Sequence, residues 1–204
     1  MKELKEQKLK KSTLRQEKIK VVALELFLQK GYEETSLKDI IKVSGGSFSD
    51  IYNNFENKQG LFFSVISDII SQKYEEDLKH LKKDLSLQDF LYVFARNFID
   101  LLGKEKDLAI FKLILSQLYS SSNKALVDFF KENQDRGPEQ ILITYFKGCK
   151  GELSKEPKQY AMLFLHILRG YVIERIILNS PLMSKKERDE LTSFIVNFFL
   201  KALR

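Results

Sequence analysis

The sequence predicts an all-α fold: an N-terminal three-helix helix-turn-helix domain followed by a larger C-terminal helical domain, about nine helices in all. Three observations lead there. Apolar residues recur at spacings of three and four rather than in strict alternation. Only 3 prolines and 9 glycines stand among 204 residues to interrupt helices. Hydroxyl side chains followed three residues later by a carboxylate precede several apolar runs, a pattern that marks a capped helix start.

The first helix is expected from about Thr13 to Lys30. Ile19, Val22, Ala23, Leu26 and Phe27 form one apolar stripe along it, and Gly31 stands where a left-handed residue closes a helix. Ser36 with Asp39 opens a second helix, with Leu37, Ile40 and Ile41 on its inner face and Gly45-Gly46 at its end. Ser47 with Asp50 opens a third, carrying Ile51, Tyr52 and Phe55. Two short capped helices joined by a glycine turn describe a helix-turn-helix. Asn57 is placed to cap a long fourth helix reaching about Leu81, with Leu61, Phe62, Val65, Ile66, Ile69 and Ile70 inward. Helices follow at about Leu87–Leu102, Lys106–Ser121, Lys124–Cys149, Pro157–Asn179 and Lys185–Leu203. Gly137-Pro138 should kink or split the Lys124–Cys149 segment, and Ser184 with Glu187 caps the last helix.

At 44% hydrophobic and 30% charged, the chain has the apolar mass for a core. Its net charge of +6 is concentrated at the start, where the first twenty residues hold eight basic side chains against three acidic ones. Such an arm suits phosphate contacts; it reads equally as a solvated tail. The single Cys149 excludes an intrachain disulfide. No apolar run follows the first lysines as in a signal peptide, and none approaches the roughly 20 residues of a membrane span. A soluble, cytoplasmic protein without membrane association is expected. His80 and His166 are isolated, so no metal site is expected. Without a glycine-rich phosphate loop or a nucleophile–base pair, neither a cofactor nor an enzymatic activity is expected.

Within residues 15–65, Ala23, Leu26-Phe27, Gly31-Tyr32, Thr35-Ser36, Ile40, Gly45, Ser47, Ile51-Tyr52, Phe55, Lys58 and Leu61 follow a pattern that resembles the DNA-binding domain of the TetR family of repressors. The resemblance implies a homodimer that binds palindromic operator DNA and is released by a small-molecule effector. It divides the chain into a DNA-binding domain, 1–56, and a ligand-binding and dimerisation domain, 57–204. On the third helix Phe48, Ser49, Asp50, Asn53 and Asn54 can face outward while Ile51 and Phe55 face in, and asparagine can pair with adenine through two hydrogen bonds. Tyr52 and Lys58 resemble the family's phosphate-binding tyrosine and lysine. Thr35 and Ser36 stand at a helix N-terminus, which suits phosphate. The expected DNA-contacting set is Arg15, Thr35, Ser36, Ser47, Phe48, Ser49, Tyr52, Asn53, Asn54 and Lys58, although its polar members also read as caps or exposed positions. Asp50 reads as a cap rather than a contact. Two positions depart from the family pattern, Gly46 in place of a small aliphatic residue and Phe48 where a basic residue is common. The missing side chain at Gly46 removes a helix–helix contact, so the third helix is expected to be loosely held without DNA.

Phe90, Phe94 and Phe98 share one helix face, and Phe111, Phe129, Phe130, Tyr145, Phe146 and Phe164 add aromatic bulk. Ordinary packing explains any one of them. As a set, and with the resemblance, they suggest a cavity for a hydrophobic or amphipathic effector lined by Phe94, Phe98, Phe111, Leu115, Phe164, Leu165 and Arg169. Arg169 would favour an amphipathic anion; it can equally snorkel to solvent or pair with Glu174. Further segments resemble a repressor of a multidrug efflux pump, which implies efflux or detoxification genes as targets. In the family the last two helices build a four-helix dimer interface, implied here at Leu163, Ile167, Gly170, Tyr171, Phe194 and Phe198. The other reading is a helical ligand-binding or adaptor protein whose DNA binding is impaired at Gly46 and Phe48.

Overall fold

The computed structural model of the chain describes residues 2–80, 85–119, 124–132 and 137–203, without the side chains at 2–10, 73–80 and 102. Lys2, Lys5, Lys8 and Lys10 of the expected basic arm, and His80, therefore have side chains outside the described residues. Within the described residues all regular structure is helical: α1 (Lys2–Lys30), α2 (Leu37–Ser44), α3 (Phe48–Phe55), α4 (Lys58–His80), α5 (Leu87–Ile99), α6 (Glu105–Leu118), α7 (Lys124–Glu132), α8 (Pro138–Lys147), α9 (Glu152–Lys155), α10 (Pro157–Ile177) and α11 (Lys185–Ala202), with a 3-10 turn at Asp100–Gly103.

Eleven helices among the described residues replace the expected nine for two local reasons. The expected 124–149 helix is divided into α7 and α8, with Pro138 as the first residue of α8. There its missing N–H leaves no bond unmade and its fixed φ starts the helix. The one-turn α9 follows Gly151 at φ 74° and is too short to show a period. α1 starts at Lys2 rather than Thr13, because the lysine, glutamate, glutamine and leucine residues before Thr13 favour helix and nothing there breaks it.

The chain divides into two compact units, Met1–Ile69 with Leu113–Phe129, and Ile70–Lys112 with Phe130–Arg204. The boundary expected at residue 56 falls inside the first. In that unit the α1 stripe is buried, as are Ile40, Ile51, Phe55, Leu61, Phe62, Val65 and Ile66. Phe27, Tyr32 and Phe62 form a triangle of rings with centroids 5.0–5.7 Å apart, each pair adding about 0.5–1.5 kcal/mol beyond its buried area. Gly31 closes α1 at φ 86° and its N–H donates to the Phe27 carbonyl.

In the second unit α5 packs on α11 and α8 on α10. Phe90 stacks on Tyr145 at 3.5 Å, and Phe164 meets Phe94 at 6.2 Å and Phe199 at 4.8 Å. The carboxylate of Asp100, in the 3-10 turn, accepts from Arg96 at 3.0 Å and from Arg188 at 2.9 Å. Arg96 also pairs with Asp189, so two cations and two anions tie α5 to α11. Among the described residues no helix is long and apolar enough to cross a membrane, and no group of three or more His, Cys, Asp or Glu side chains could hold a metal ion.

The corner between α3 and α4 sets the exit of the helix-turn-helix. Glu56 has φ 65° and ψ −46°, and the Asn57 N–H donates to the Phe55 carbonyl at 2.7 Å, which together make a γ-turn of the strained kind. The Asn57 side chain then accepts from the Gly60 N–H at 2.9 Å, the cap expected of it. A Cβ on Gly60 would overlap the Phe55 carbonyl oxygen. Gly60→Ala should therefore destabilise the first unit by about 1–3 kcal/mol, the usual cost of overpacking, seen as a lower midpoint in thermal denaturation followed by circular dichroism. An unchanged midpoint would show that the corner can open freely.

Candidate nucleic-acid interface

Two eight-residue helices, α2 and α3, stand at the surface of the first unit, and each is capped reciprocally. The Ser36 side chain accepts from the Asp39 N–H while the Asp39 carboxylate accepts from the Ser36 N–H and hydroxyl. Ser47 and Asp50 repeat the arrangement on α3. The serine hydroxyl is the main cause holding each carboxylate below its ordinary value of 3.8. Gly45 joins the helices at φ 73°, its N–H donating to the Ile41 carbonyl. A side chain there would be strained, so glycine is what allows the sharp turn.

α3 buries Ile51 and Phe55 and turns its other face outward: Phe48 is 49% and Tyr52 55% exposed, and Ser49, Asn53 and Asn54 are exposed beside them. The Phe48 and Tyr52 rings stack at 6.5 Å with 25° between their planes. Arg15 of α1 donates to Asp50 at 3.3 Å, and Gln16 donates to Asn54, whose own amide donates to the Asp50 carbonyl. These groups line a cleft of about 180 Å³ with Lys11, Ser12 and Ile19. The contact that Gly46 was expected to forfeit is supplied from α1, because a Cβ on Gly46 would lie 3.1 Å from the buried Ile19 Cδ1. Packing and polar ties hold α3, contrary to the expected looseness.

Two of the expected phosphate contacts face inward. Thr35 is 0% exposed, and its hydroxyl donates to the carbonyls of Gly31 at 2.8 Å and Leu26 at 3.2 Å. The Lys58 ammonium donates to the carbonyls of Tyr32, Thr35 and Glu33 at 2.8, 3.0 and 3.2 Å and lies 4.3 Å from the Tyr32 ring centroid, a cation–π position. Both close the α1–α2 loop instead, for it leaves carbonyls that need donors. Sequence spacing places these residues near the motif and is silent on which way they point. Sequence reasoning also missed Gln16, whose part depends on the crossing of α1 and α3.

Residues 19–65 match the family model of bacterial regulatory proteins, tetR family. The HTH-type transcriptional regulator YvkB of Bacillus subtilis (strain 168), itself uncharacterized, is 26% identical over 165 residues, covering 79% of this chain and 83% of YvkB. A TetR-family transcriptional regulator from Mesorhizobium loti shares the fold with a TM-score of 0.74 at 21% identity, over 94% of this chain and 97% of that one. The flavonoid-responsive regulator FrrA shares it with a TM-score of 0.68 at 26% identity, over 93% of this chain and 97% of that one. Residues 19–65 are therefore of the tetR-family type of bacterial regulatory protein.

The residues expected to line an effector cavity are distributed unevenly. Phe94, Phe164 and Leu165 are buried in the aromatic core of the second unit, with Phe98 and Phe111 half-buried against it. Leu115 belongs to the segment assigned to the first unit. Arg169 is partly buried, and no hydrogen bond or ion pair among the described residues reaches it. Loss of water lowers its proton affinity and Glu139, not the Glu174 of the alternative reading, raises it. A second cleft of about 180 Å³ is lined by Gln88, Asp89, Tyr92, Ser193, Val196 and Asn197, none of them in the expected set. Of the expected dimer residues, Leu163, Phe194 and Phe198 are 53%, 62% and 59% exposed. Gly170 is exposed as well, whereas Ile167 and Tyr171 are half-buried against the core.

Two outcomes follow for this chain. Thr35→Val keeps the shape but strands the Gly31 carbonyl, so stability should fall by about 1–3 kcal/mol. The slope of log affinity for DNA against log salt should not change, whereas loss of a phosphate contact would reduce it by about one. The second concerns acid. A carboxylate with a depressed folded value contributes stability that is complete above its ordinary value and lost as pH falls through the lowered one. The stabilisation that the two caps contribute should thus be complete above pH 3.8 and be lost below it. In an acid titration followed by circular dichroism, the Asp39→Asn, Asp50→Asn double variant should lack that component.

Proposed function

We propose that this protein is a homodimeric repressor of efflux or detoxification genes, bound to a palindromic operator and released by a hydrophobic or amphipathic small molecule. The observation that carries the reading is the outward face of α3, where Phe48 and Ser49 stand at the N-terminal part of a helix whose back is buried, with Tyr52 and Asn53 exposed one turn further along. A recognition helix meets base edges with that part. Ser36 and Ser47 flank it at two helix N-termini, where unpaired N–H groups and the helix dipoles favour phosphate. Arg15 can add to that field, though its contact with Asp50 divides it between α3 and the backbone of DNA.

Dimerisation is supported by the apolar side chains that α10 and α11 leave in water. Leu163, Phe194 and Phe198 are each more than half exposed, and the last two stack at 6.4 Å. An exposed apolar patch on a helical surface marks an interaction site, and a two-fold partner would bury it while placing two recognition helices on successive major grooves.

The effector class rests on the aromatic core. The rings are in contact there, so a ligand would enter by parting them, and would shift the protein only by its preference for the parted state. FrrA is responsive to flavonoids by name, and an amphipathic aromatic effector fits the half-buried Phe98, Phe111 and Arg169 of this chain. The segments Glu17-Lys18-Ile19-Lys20, Val43-Ser44-Gly45-Gly46-Ser47 and Ser116-Gln117-Leu118-Tyr119 resemble CmeR, a repressor of a multidrug efflux pump, and support an efflux target.

Fluorescence anisotropy with duplexes from the DNA upstream of its own and neighbouring genes tests the reading. The wild type should prefer one duplex over unrelated sequence by a factor of about 10³ or more, and Tyr52→Ala should lose most of that preference. Phe194→Glu with Phe198→Glu should sediment as a monomer and bind DNA weakly. A monomeric wild type, or one indifferent to sequence, would sink the proposal.

A further inference from the structure

The outward face of α3 is poor in free hydrogen-bonding groups. Ser47 and Asp50 are consumed by the capping box, and Asp50 also holds Arg15. Asn54 donates to the Asp50 carbonyl and accepts from Gln16. The polar side chains left to meet a base edge are those of Ser49 and Asn53, together with the Tyr52 hydroxyl. Beside them the first residue of the helix, Phe48, holds a half-exposed ring with neither donor nor acceptor.

Resting on the DNA-binding reading, we propose that Phe48 determines sequence specificity by reading the 5-methyl group of one thymine in each operator half-site, with Tyr52 as the residue that positions its ring. In the major groove every base edge presents hydrogen-bonding atoms, and the thymine methyl is the one apolar group. A phenyl ring against guanine, adenine or cytosine would strip water from those atoms and replace it with nothing. Against a methyl group it removes apolar surface of both partners from water. The same ring therefore favours thymine and disfavours the other three bases. Tyr52, one turn further along, stacks on Phe48 and restricts the ring to one direction, so less rotational freedom is lost on binding. The contact is independent of ionic charge, so it adds selectivity where the N-terminal lysines and Arg15 would add only salt-dependent affinity.

The probe is a duplex selected from a random-sequence pool by the purified full-length wild type, then rebuilt with each thymine replaced in turn by deoxyuridine in both half-sites. Deoxyuridine removes only the methyl group. At one thymine per half-site the replacement should weaken wild-type binding about fourfold per half-site, from the loss of one buried methyl group, and roughly tenfold or more for both together. Phe48→Ala, checked for unchanged helicity, should bind the thymine and deoxyuridine duplexes equally. Tyr52→Phe, which keeps the stack, should retain the discrimination. A wild type insensitive to deoxyuridine at every position, or a Phe48→Ala variant as sensitive as the wild type, would overturn the proposal while leaving DNA binding intact. Failure to select any duplex would overturn the DNA-binding reading and this inference with it.

Discussion

Everything at the DNA-binding end depends on burial of the apolar stripe of α1. α2 and α3 have eight residues each, well below the length at which an isolated helix is stable in water. Their capping boxes satisfy end groups but do not supply the missing drive. That comes from Ile40, Ile51 and Phe55, buried together with Ile19, Val22, Ala23, Leu26 and Phe27. The recognition surface is thus rigid because its back is a hydrophobic core, while its front is free to differ in sequence at small cost.

The same helix compensates for the unusual glycine after the turn. Ile19 occupies the volume a side chain at Gly46 would need, and Arg15 and Gln16, one turn earlier, hold Asp50 and Asn54. α1 therefore does for α3 what a direct α2–α3 contact would otherwise do. One consequence is a division of labour along α3. Asp50 and Asn54 serve the fold, and the exposed remainder, with an aromatic pair at its start, is left to meet a partner.

The second unit follows a different principle. Its core is a connected set of rings from α5, α8, α10 and α11, and a charge cluster around Asp100 ties the 3-10 turn to α11. Arg169 is partly buried, and Glu139 offsets part of its lost hydration. Ring packing of this kind tolerates rearrangement better than a network of buried hydrogen bonds, since parted rings leave no polar group unsatisfied. It suits the proposed function, in which this unit yields to a ligand.

The sequence by itself determined the helical class, the start of α3, the three serine–carboxylate caps, the left-handed glycine at 31, the glycine turn at 45–46 and the split at Pro138. Each is a local matter of backbone conformation or of groups within four residues of one another. It also determined which residues of α1 and α3 are buried, because the helical period alone separates inner from outer faces. The tertiary structure decided the direction of Thr35 and Lys58, both turned into the protein by carbonyls of the α1–α2 loop, and the filling of the Gly46 gap by Ile19. It decided too that Phe90, Phe94 and Phe164 pack ring to ring. Those outcomes turn on how separate helices cross, and no spacing within one helix records a crossing angle.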